Sequence, residues 1–178
     1  MEERITIRDR EFKLYIREEK IGEAVHRMAG EMNRDLGNEN PVFLVVLNGS
    51  FIFAADLLRQ MTMPCEVSFV KVASYSGTAS GGNISELIGV TEDLSGRTVV
   101  IVEDIVDSGV TIEKLSGMLH SKKVKQVKIA TALFKPGAYR KSIKVDYHAL
   151  SIGDDFVVGY GMDYNGYGRN LKDIHVLA

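Results

Sequence analysis

The sequence predicts an α/β protein in which helices flank a parallel, twisted sheet and a small hood lobe lies beside it. Continuous apolar runs alternate with helical patterns through the middle of the chain, an order typical of a parallel sheet with right-handed crossovers. The alternation is lost after Phe134, and no Pro-, Gly- or Ser-rich linker divides the chain. We therefore expect one domain over residues 1–178, with the core at about 18–134 and the hood at about 1–17 and 135–178.

The helices and strands are predicted from apolar periodicity, beginning with a helix from Lys20 to Leu36. Apolar residues recur there at three- and four-residue steps, which places them on one face. The run Val42–Leu47 is apolar throughout, as expected of a strand covered on both faces. Similar patterns predict a helix at 51–61, strands at 66–72 and 98–102, a helix at 111–121, and strands at 127–134, 145–150 and 156–160. Residues 74–83, rich in glycine and small polar side chains, are expected to form a mobile surface loop.

The composition excludes several classes of protein. Lys and Arg number 22 against 24 Asp and Glu, so the formal net charge of -2 provides no general basic field for nucleic acid or an anionic membrane. A single cysteine, Cys65, excludes an internal disulfide framework and a cysteine-rich zinc site. Since the chain has neither a membrane-spanning apolar run nor an apolar signal core after its charged N-terminus, we expect a cytoplasmic protein that binds neither nucleic acid nor a membrane.

The strongest candidate for a functional site is the acidic segment that directly follows the apolar run 98–102. Glu103, Asp104 and Asp107 are three carboxylates within five residues, and burying them is costly unless a ligand, a metal ion or hydroxyl donors compensate their charge. The stretch Asp107–Thr111 then supplies hydroxyls, a glycine and a helix start, which together suit a bound anion. The alternative is an acidic loop in which Asp107 only caps the following helix.

Residues 99–111, VVIVEDIVDSGVT, resemble the phosphoribosyl-pyrophosphate motif of the type I phosphoribosyltransferase family. Four other segments, in the family's order and spacing, are similar to its hypoxanthine-guanine members: Val46–Asp56, Ser74–Tyr75, Ala132–Lys135 and Phe156–Leu171. The resemblance implies magnesium-dependent transfer of phosphoribose from phosphoribosyl pyrophosphate to hypoxanthine or guanine, which yields IMP or GMP and pyrophosphate. It thus implies a purine-salvage enzyme that uses Mg²⁺, binds a purine base and phosphoribosyl pyrophosphate, and forms a homodimer or homotetramer.

The resemblance also implies a role for each residue of the acidic segment. Glu103 and Asp104 would hold the ribose 2′ and 3′ hydroxyls with a magnesium ion nearby, and Asp107 would face N7 of the purine as the general acid/base. The 5′-phosphate would lie against the backbone and hydroxyls of the rest of the loop, namely Ser108, Gly109, Val110 and Thr111.

Residues nearer the C-terminus would bind the base and the pyrophosphate. Lys135 would donate to the purine 6-oxygen, Phe156 would stack on the ring, and the Val157 backbone would meet the purine edge. Asp163 would bind a second magnesium ion on the pyrophosphate, and Arg169 would bind the pyrophosphate itself. The candidate metal ligands implied by the resemblance are Glu103, Asp104 and Asp163.

Two further pairs of residues complete the implied site. Ser74 and Tyr75 would belong to a lid over the reacting centre, and the Gly49 peptide, often cis in the family, would contact pyrophosphate. Asn48 stands where the family usually has lysine. Because asparagine carries no positive charge, we expect pyrophosphate affinity to be weaker or to be maintained by other cations, Arg169 included.

Two other functions would suit parts of this sequence. A regulator that keeps the phosphoribosyl-pyrophosphate site but binds RNA or DNA would need a basic module or face, which the net charge of -2 argues against. A transferase that prefers xanthine would need a means of accepting a 2-oxo group, and the residue types alone do not settle that preference.

Overall fold

A computed structural model describes residues 3–74, 84–88, 90 and 92–178 of the chain. Its elements are β1 (Arg4–Ile7), β2 (Arg10–Ile16), α1 (Glu18–Leu36), β3 (Val42–Leu47), α2 (Phe51–Leu58), β4 (Glu66–Ser74), β5 (Ile84–Ile88), β6 (Thr98–Val106), α3 (Val110–Ser121), β7 (Gln126–Phe134), β8 (Tyr147–Ser151), β9 (Val157–Val158) and β10 (Ile174–Leu177). The strands form two sheets, one of six strands and one of four.

The six-stranded sheet has the spatial order β5-β4-β3-β6-β7-β8. Each neighbouring pair from β4 to β8 is parallel, and β5 alone runs antiparallel, to β4. The predicted parallel sheet flanked by helices is therefore confirmed. Since β3 and β6 are central, their apolar runs are covered on both faces, and Val42–Val46 and Thr98–Val102 are buried throughout.

The helices cover the two faces of this sheet. The apolar stripe of α1 and the inner face of α2 pack with Phe43 and Val45 of β3 in one buried cluster. The inner face of α3 packs with Leu44 and Val46 in a second cluster on the opposite face. This division follows from the two-residue period of a strand, which sends successive side chains to opposite faces. Within the described residues, no helix combines the length and the apolar character needed to cross a bilayer.

Several element boundaries differ from those predicted. The strand predicted at 98–102 continues to Val106, because its ladder with β7 extends past the acidic residues to the pair Val106 and Phe134. Helix α2 ends at Leu58 instead of residue 61, and β9 contains only Val157 and Val158. The long β6 therefore carries Glu103 and Asp104 on a strand, not on a loop.

The four-stranded sheet is antiparallel and has the order β1-β2-β10-β9. It joins the two ends of the chain, since β2 pairs with both β1 and β10. Strands β1, β2 and β10 were not predicted individually, although their residues lie in the ranges assigned to the hood. Strand β8, within the predicted hood range 135–178, instead forms an edge of the large sheet by pairing with β7.

Candidate active site

Three loops that carry candidate residues lie at one edge of the large sheet. Strands β3, β6 and β7 are neighbours and parallel, so their carboxyl ends meet at the same edge. Asn48 and Gly49 follow β3, Asp107 follows β6, and Lys135 follows β7. The topology thus brings together residues that are far apart in the sequence.

The carboxylates of Glu103 and Asp104 are destabilised in their charged form. Burial, and secondarily the charge of Asp104, raises the pKa of Glu103 well above its ordinary value of 4.5. Its Oε2 atom is buried without a hydrogen-bond partner among the described residues. Burial also raises the pKa of Asp104, while the Ile105 amide and the Arg169 guanidinium oppose that rise. These two acids therefore have oxygen atoms that a cation or a hydroxyl donor would stabilise.

The loop after β3 lies directly against Asp104. A Cβ atom added to Gly49 would overlap Asp104 Oδ2, so only glycine fits between β3 and this carboxylate. The Ser50 hydroxyl donates to the Val46 carbonyl and is fully buried, which fixes the turn into α2. The cis peptide without proline joins Leu47 to Asn48, one bond before the Asn48–Gly49 bond, and Asn48 is exposed.

The residues from Asp107 to Ile112 surround a small cavity of about 80 Å³. Helix α3 begins there, with Gly109 at the N-cap position and a φ of 84°. A Cβ atom at Gly109 would overlap the Tyr139 ring, which gives a second reason for glycine at this position. Among the described residues no side chain caps the helix, and the Asp107 carboxylate is instead paired with Lys135, so the alternative in which Asp107 is only a helix cap is wrong. The first turn of the helix, with its free N–H groups, instead borders the cavity and suits an anion.

Lys135 and Asp107 form an ion pair in a neighbouring cleft. The Nζ atom of Lys135 lies 3.4 Å from Asp107 Oδ2 and 3.3 Å from the Asp154 carbonyl oxygen. The Lys135 side chain is 7% exposed and that of Asp107 is 55% exposed, so the ammonium is buried while the carboxylate opens to the cleft. This cleft, of about 240 Å³, is lined by Asp104, Ile105, Asp107, Lys135, Phe156, Val157, Met162 and Asp163.

An aromatic cluster supports the Phe156 ring at the wall of this cleft. Phe156 is 47% exposed, whereas Phe12 of β2 is fully buried beneath it, with ring centroids 6.3 Å apart. The Tyr164 ring lies 6.1 Å from Phe156 and 6.0 Å from Phe12. The three rings therefore contact one another and leave one side of Phe156 open. Val157 follows in β9 and is buried.

Asp163, which also lines the cleft, is paired with Arg169. Arg169 Nη2 is 2.6 Å from Asp163 Oδ1, and Arg169 Nη1 donates to the Gly161 carbonyl over 2.7 Å. Asp163 Oδ2 accepts a hydrogen bond from the Gly166 amide. A Cβ atom on Gly161 would overlap the Gly49 carbonyl oxygen. The Arg169 guanidinium is thus held beside the loop that follows β3.

The acidic residues fit a metal ion only in part. Among the residues that the structure describes, no three His, Cys, Asp or Glu side chains are placed to hold one. Mg²⁺, however, is commonly bound by one or two carboxylates together with substrate phosphates and water. The destabilised charge of Asp104 and the unpartnered Glu103 oxygen suit such a site, which would be completed by the substrate.

Most predicted site residues therefore surround two adjacent cavities, which share Ile105 and Asp107. Of the two residues predicted for the lid, Ser74 is the last residue of β4 and Tyr75 lies outside the described residues. Phe12 and Met162 were not predicted as site residues. Alternation of apolar and charged residues through 4–16 indicates a strand pair, and that pattern could have placed Phe12 in the small sheet.

Comparisons with known proteins agree with this arrangement. The family model for the phosphoribosyl transferase domain matches residues 15–165. A hypoxanthine-guanine phosphoribosyltransferase of Streptococcus pneumoniae is 39% identical over 166 residues, which cover 93% of this chain and 92% of that protein.

Solved structures of similar proteins have the same fold. A hypoxanthine phosphoribosyltransferase of Staphylococcus aureus superimposes with a TM-score of 0.87 at 31% identity, covering 93% of this chain and 90% of that one. The hypoxanthine phosphoribosyl transferase of Trypanosoma cruzi gives a TM-score of 0.88 at 31% identity, covering 98% and 95%. The family model, the sequence identity and the shared fold lead to one conclusion: the chain belongs to the hypoxanthine-guanine phosphoribosyltransferase family.

Proposed function

We propose that this enzyme transfers phosphoribose from phosphoribosyl pyrophosphate to hypoxanthine or guanine in purine salvage. The observation that carries the proposal is the pair of adjacent cavities, one open to a base and one suited to a phosphate, with Asp107 at their junction. A nucleoside monophosphate has the same order of parts: a flat base, a sugar and an anion.

In the proposed reaction, the bond from C1′ to the pyrophosphate oxygen breaks and a bond from C1′ to N9 of the base forms. The sugar develops positive charge as the leaving group departs with negative charge. Arg169 would stabilise the pyrophosphate, and Glu103 and Asp104 would orient the ribose through its hydroxyls. As N9 bonds to C1′, the proton at N7 becomes acidic, and Asp107 would accept it. A bound Mg²⁺ would neutralise charge on the pyrophosphate.

The choice of a 6-oxopurine follows from the donors of Lys135. An ammonium group has three N–H donors and no acceptor. Among the described residues, the Lys135 Nζ atom contacts two acceptors, Asp107 Oδ2 and the Asp154 carbonyl. One donor can therefore meet the 6-oxygen of hypoxanthine or guanine, whereas the 6-amino group of adenine would face another donor. Phe156, braced from behind and open on one side, would stack on the ring.

Magnesium and self-association are further parts of the proposal. We infer that Mg²⁺ binds with phosphoribosyl pyrophosphate, through Asp104 and Asp163 with support from Glu103.

We also infer a homodimer or homotetramer from exposed apolar side chains. Val67 and Phe69 of β4 lie on the face of the large sheet that carries α2, and they are 42% and 47% exposed. Phe51, in the first turn of α2, is 46% exposed. A second copy of this chain would cover these apolar side chains. The cytoplasmic location stays a prediction.

A substrate panel tests the proposed reaction. Pyrophosphate release is measured with phosphoribosyl pyrophosphate, Mg²⁺ and each of hypoxanthine, guanine, xanthine and adenine. We expect turnover of hypoxanthine and guanine, and a loss of at least about 10²-fold in Asp107→Asn, the usual scale for general acid/base catalysis. Asp93→Asn, which removes an exposed carboxylate from the turn before β6, is the control.

Three outcomes would contradict the proposal. Equal activity in Asp107→Asn would reject the role of Asp107, and turnover confined to xanthine or adenine would reject the base preference. Absence of turnover together with salt-dependent retention on nucleic acid would instead favour the regulator.

A further inference from the structure

Three consecutive residues beside the site have left-handed backbone conformations. Gly159, Tyr160 and Gly161 have φ values of 100°, 50° and 100°. Glycine adopts such angles without cost, but tyrosine has a Cβ atom and adopts them only where its surroundings hold it. The contacts that hold Tyr160 therefore fix the path of this segment.

Tyr160 is held at both ends. Its amide donates to the Leu171 carbonyl over 2.8 Å, and its hydroxyl donates to Asp56 Oδ2 over 2.9 Å. The tyrosine is 6% exposed. Burial, followed by the charge of Asp56, raises the pKa of the Tyr160 hydroxyl, so that the group remains a protonated donor. Asp56 belongs to α2, so the hydrogen bond joins this helix to the segment 159–161.

The residue after Tyr160 contacts the pyrophosphate side of the site from two directions. Gly161 lies so close to the Gly49 carbonyl oxygen that a Cβ atom would overlap it. Its own carbonyl accepts a hydrogen bond from Arg169 Nη1 over 2.7 Å, and its amide donates to the Arg169 carbonyl over 3.0 Å. A shift of Gly161 would therefore move both the Gly49 peptide and the Arg169 guanidinium.

We propose that Tyr160 and Asp56 are positioning residues for the pyrophosphate half of the substrate. Gly49 lies in the turn before α2, and Asp56 lies within α2. The Tyr160–Asp56 hydrogen bond and the Gly161–Gly49 contact therefore form a clamp that joins the same two segments, residues 159–161 and residues 49–56. Neither residue lines the base cleft or the small cavity at the start of α3, so both act through Gly161. This inference rests on the proposed function, which assigns Gly49 and Arg169 to pyrophosphate.

The Tyr160→Phe variant removes only the hydroxyl and therefore tests the clamp. Tyr147→Phe is a matched control, because Tyr147 is also buried, at 4% exposure, and donates to a carboxylate, Asp35 Oδ2, over 3.1 Å. Tyr147 lies on β8 at the edge of the large sheet. We measure KM for phosphoribosyl pyrophosphate, KM for hypoxanthine, Kd for magnesium pyrophosphate, and Tm.

We expect Tyr160→Phe to raise KM for phosphoribosyl pyrophosphate and Kd for magnesium pyrophosphate by about 5- to 20-fold, which is less than the full effect of a hydrogen bond to a charged group because Tyr160 acts through Gly161. KM for hypoxanthine in Tyr160→Phe should stay within about two-fold of the wild-type value. The control variant Tyr147→Phe should change Tm and neither KM value. Asp56→Ala, which removes the acceptor of this hydrogen bond, should reproduce the effect, and the double variant should be no worse than Tyr160→Phe, because both changes break the same interaction.

Two results would overturn the inference. If wild-type enzyme is active and Tyr160→Phe changes only Tm, as Tyr147→Phe does, the hydrogen bond is structural and not positioning. If the two KM values rise equally, the clamp does not act on pyrophosphate in particular. Wild-type enzyme that forms no nucleotide at all would overturn the proposed function, and the inference with it.

Discussion

At the scale of single residues, the site combines charges that destabilise the empty protein with contacts that a substrate would complete. Glu103 has a buried oxygen without a partner among the described residues, and burial raises the pKa of Asp104 although the Ile105 amide and the Arg169 guanidinium favour its charged form. Such arrangements cost folding free energy and are found where function requires them. The acidic pair on β6 is therefore a place where stability and activity are expected to change in opposite directions.

Glu103→Gln should raise stability at neutral pH and lower activity. Because the folded-state pKa lies well above 4.5, folded protein binds more protons than unfolded protein between these two values, so stability falls as pH rises through that window. The variant should lose this part of the pH dependence, and each 1 kcal/mol added to the free energy of unfolding should raise Tm by roughly 2–4 °C. Thermal melts of wild type and variant between about pH 4 and 9 measure this change in pH dependence. Glu23→Gln, on the exposed face of α1, is the control.

The same variant should lose about 10- to 100-fold in kcat/KM for phosphoribosyl pyrophosphate, the scale of one hydrogen bond to a charged group. A Glu103→Gln protein that melts at a lower temperature than wild type at pH 8 would contradict the account of its buried charge. Unchanged kcat/KM would contradict its contact with the ribose.

Asn48→Lys should lower KM for phosphoribosyl pyrophosphate. Asn48 is exposed and precedes Gly49, so a lysine there would add a positive charge beside the proposed pyrophosphate position. We expect a decrease of about 3- to 10-fold, since solvent screens part of the attraction, and no change in KM for hypoxanthine. Asn38→Lys, an exposed substitution in the turn after α1, makes the same change in net charge elsewhere. An unchanged KM would mean that charge at residue 48 does not matter.

At the scale of elements, the small antiparallel sheet has a function beyond closing the ends of the chain. Its strand β2 places Phe12 beneath Phe156, while β9 begins at the residue after Phe156. The phenyl ring proposed to stack on the base is thereby supported by a strand that lies 144 residues earlier in the chain.

Phe12→Leu should therefore weaken binding of the base more than binding of the sugar. The substitution leaves a cavity behind Phe156, and we expect KM for hypoxanthine to rise by about 3- to 10-fold and stability to fall by about 1–2 kcal/mol. Phe43→Leu, in the fully buried centre of β3, provides the same loss of volume away from the cleft. A rise in KM for hypoxanthine that is equal in both variants would show that the effect is general destabilisation.

The parallel strands of the large sheet could be predicted because their patterns are local, whereas its antiparallel strand β5 was not predicted. Val42–Leu47 is apolar throughout and forms a central strand with the predicted bounds, and the periodic stripe of α1 is buried as expected. The end of β6 could not be predicted, because Glu103 and Asp104 interrupt its apolar run and the strand continues past them by pairing with β7. Strands β1 and β10 are likewise defined by partners from the opposite end of the chain.

The candidate site could be predicted as a set of residues but not as a set of contacts. The acidic segment and the loop at Asp107–Thr111 are contiguous in sequence, so their residue types alone indicate an anion site. The Lys135–Asp107 ion pair, the Arg169–Asp163 ion pair and the Phe12–Phe156 contact each depend on which strands and loops are neighbours. Sequence patterns do not supply that information.

At the scale of the whole molecule, one face of the large sheet remains incompletely covered. Phe69 pairs in register with Val45 of β3 and so lies on the face that carries α1 and α2, yet it is 47% exposed. Val67 lies two residues earlier on the same face and is also exposed. Large apolar side chains that remain in contact with water favour association.

Sedimentation equilibrium tests this association. We expect the wild-type protein at micromolar concentration to have the mass of two or four chains of 19.7 kDa, and Phe69→Ser to shift the distribution toward the monomer. Tyr15→Ser, which removes a large side chain that is 41% exposed on β2, serves as the control. A wild-type mass of 19.7 kDa would contradict the proposed homo-oligomer.

The placement of the nucleotide is the claim on which the account of catalysis depends, and a crystal of the protein soaked with IMP tests it most directly. We predict phosphate density within the cavity formed by Asp107–Thr111, the ribose hydroxyls beside Glu103 and Asp104, and the base between Phe156 and Lys135. Nucleotide bound elsewhere on the protein, with both cavities empty, would contradict it.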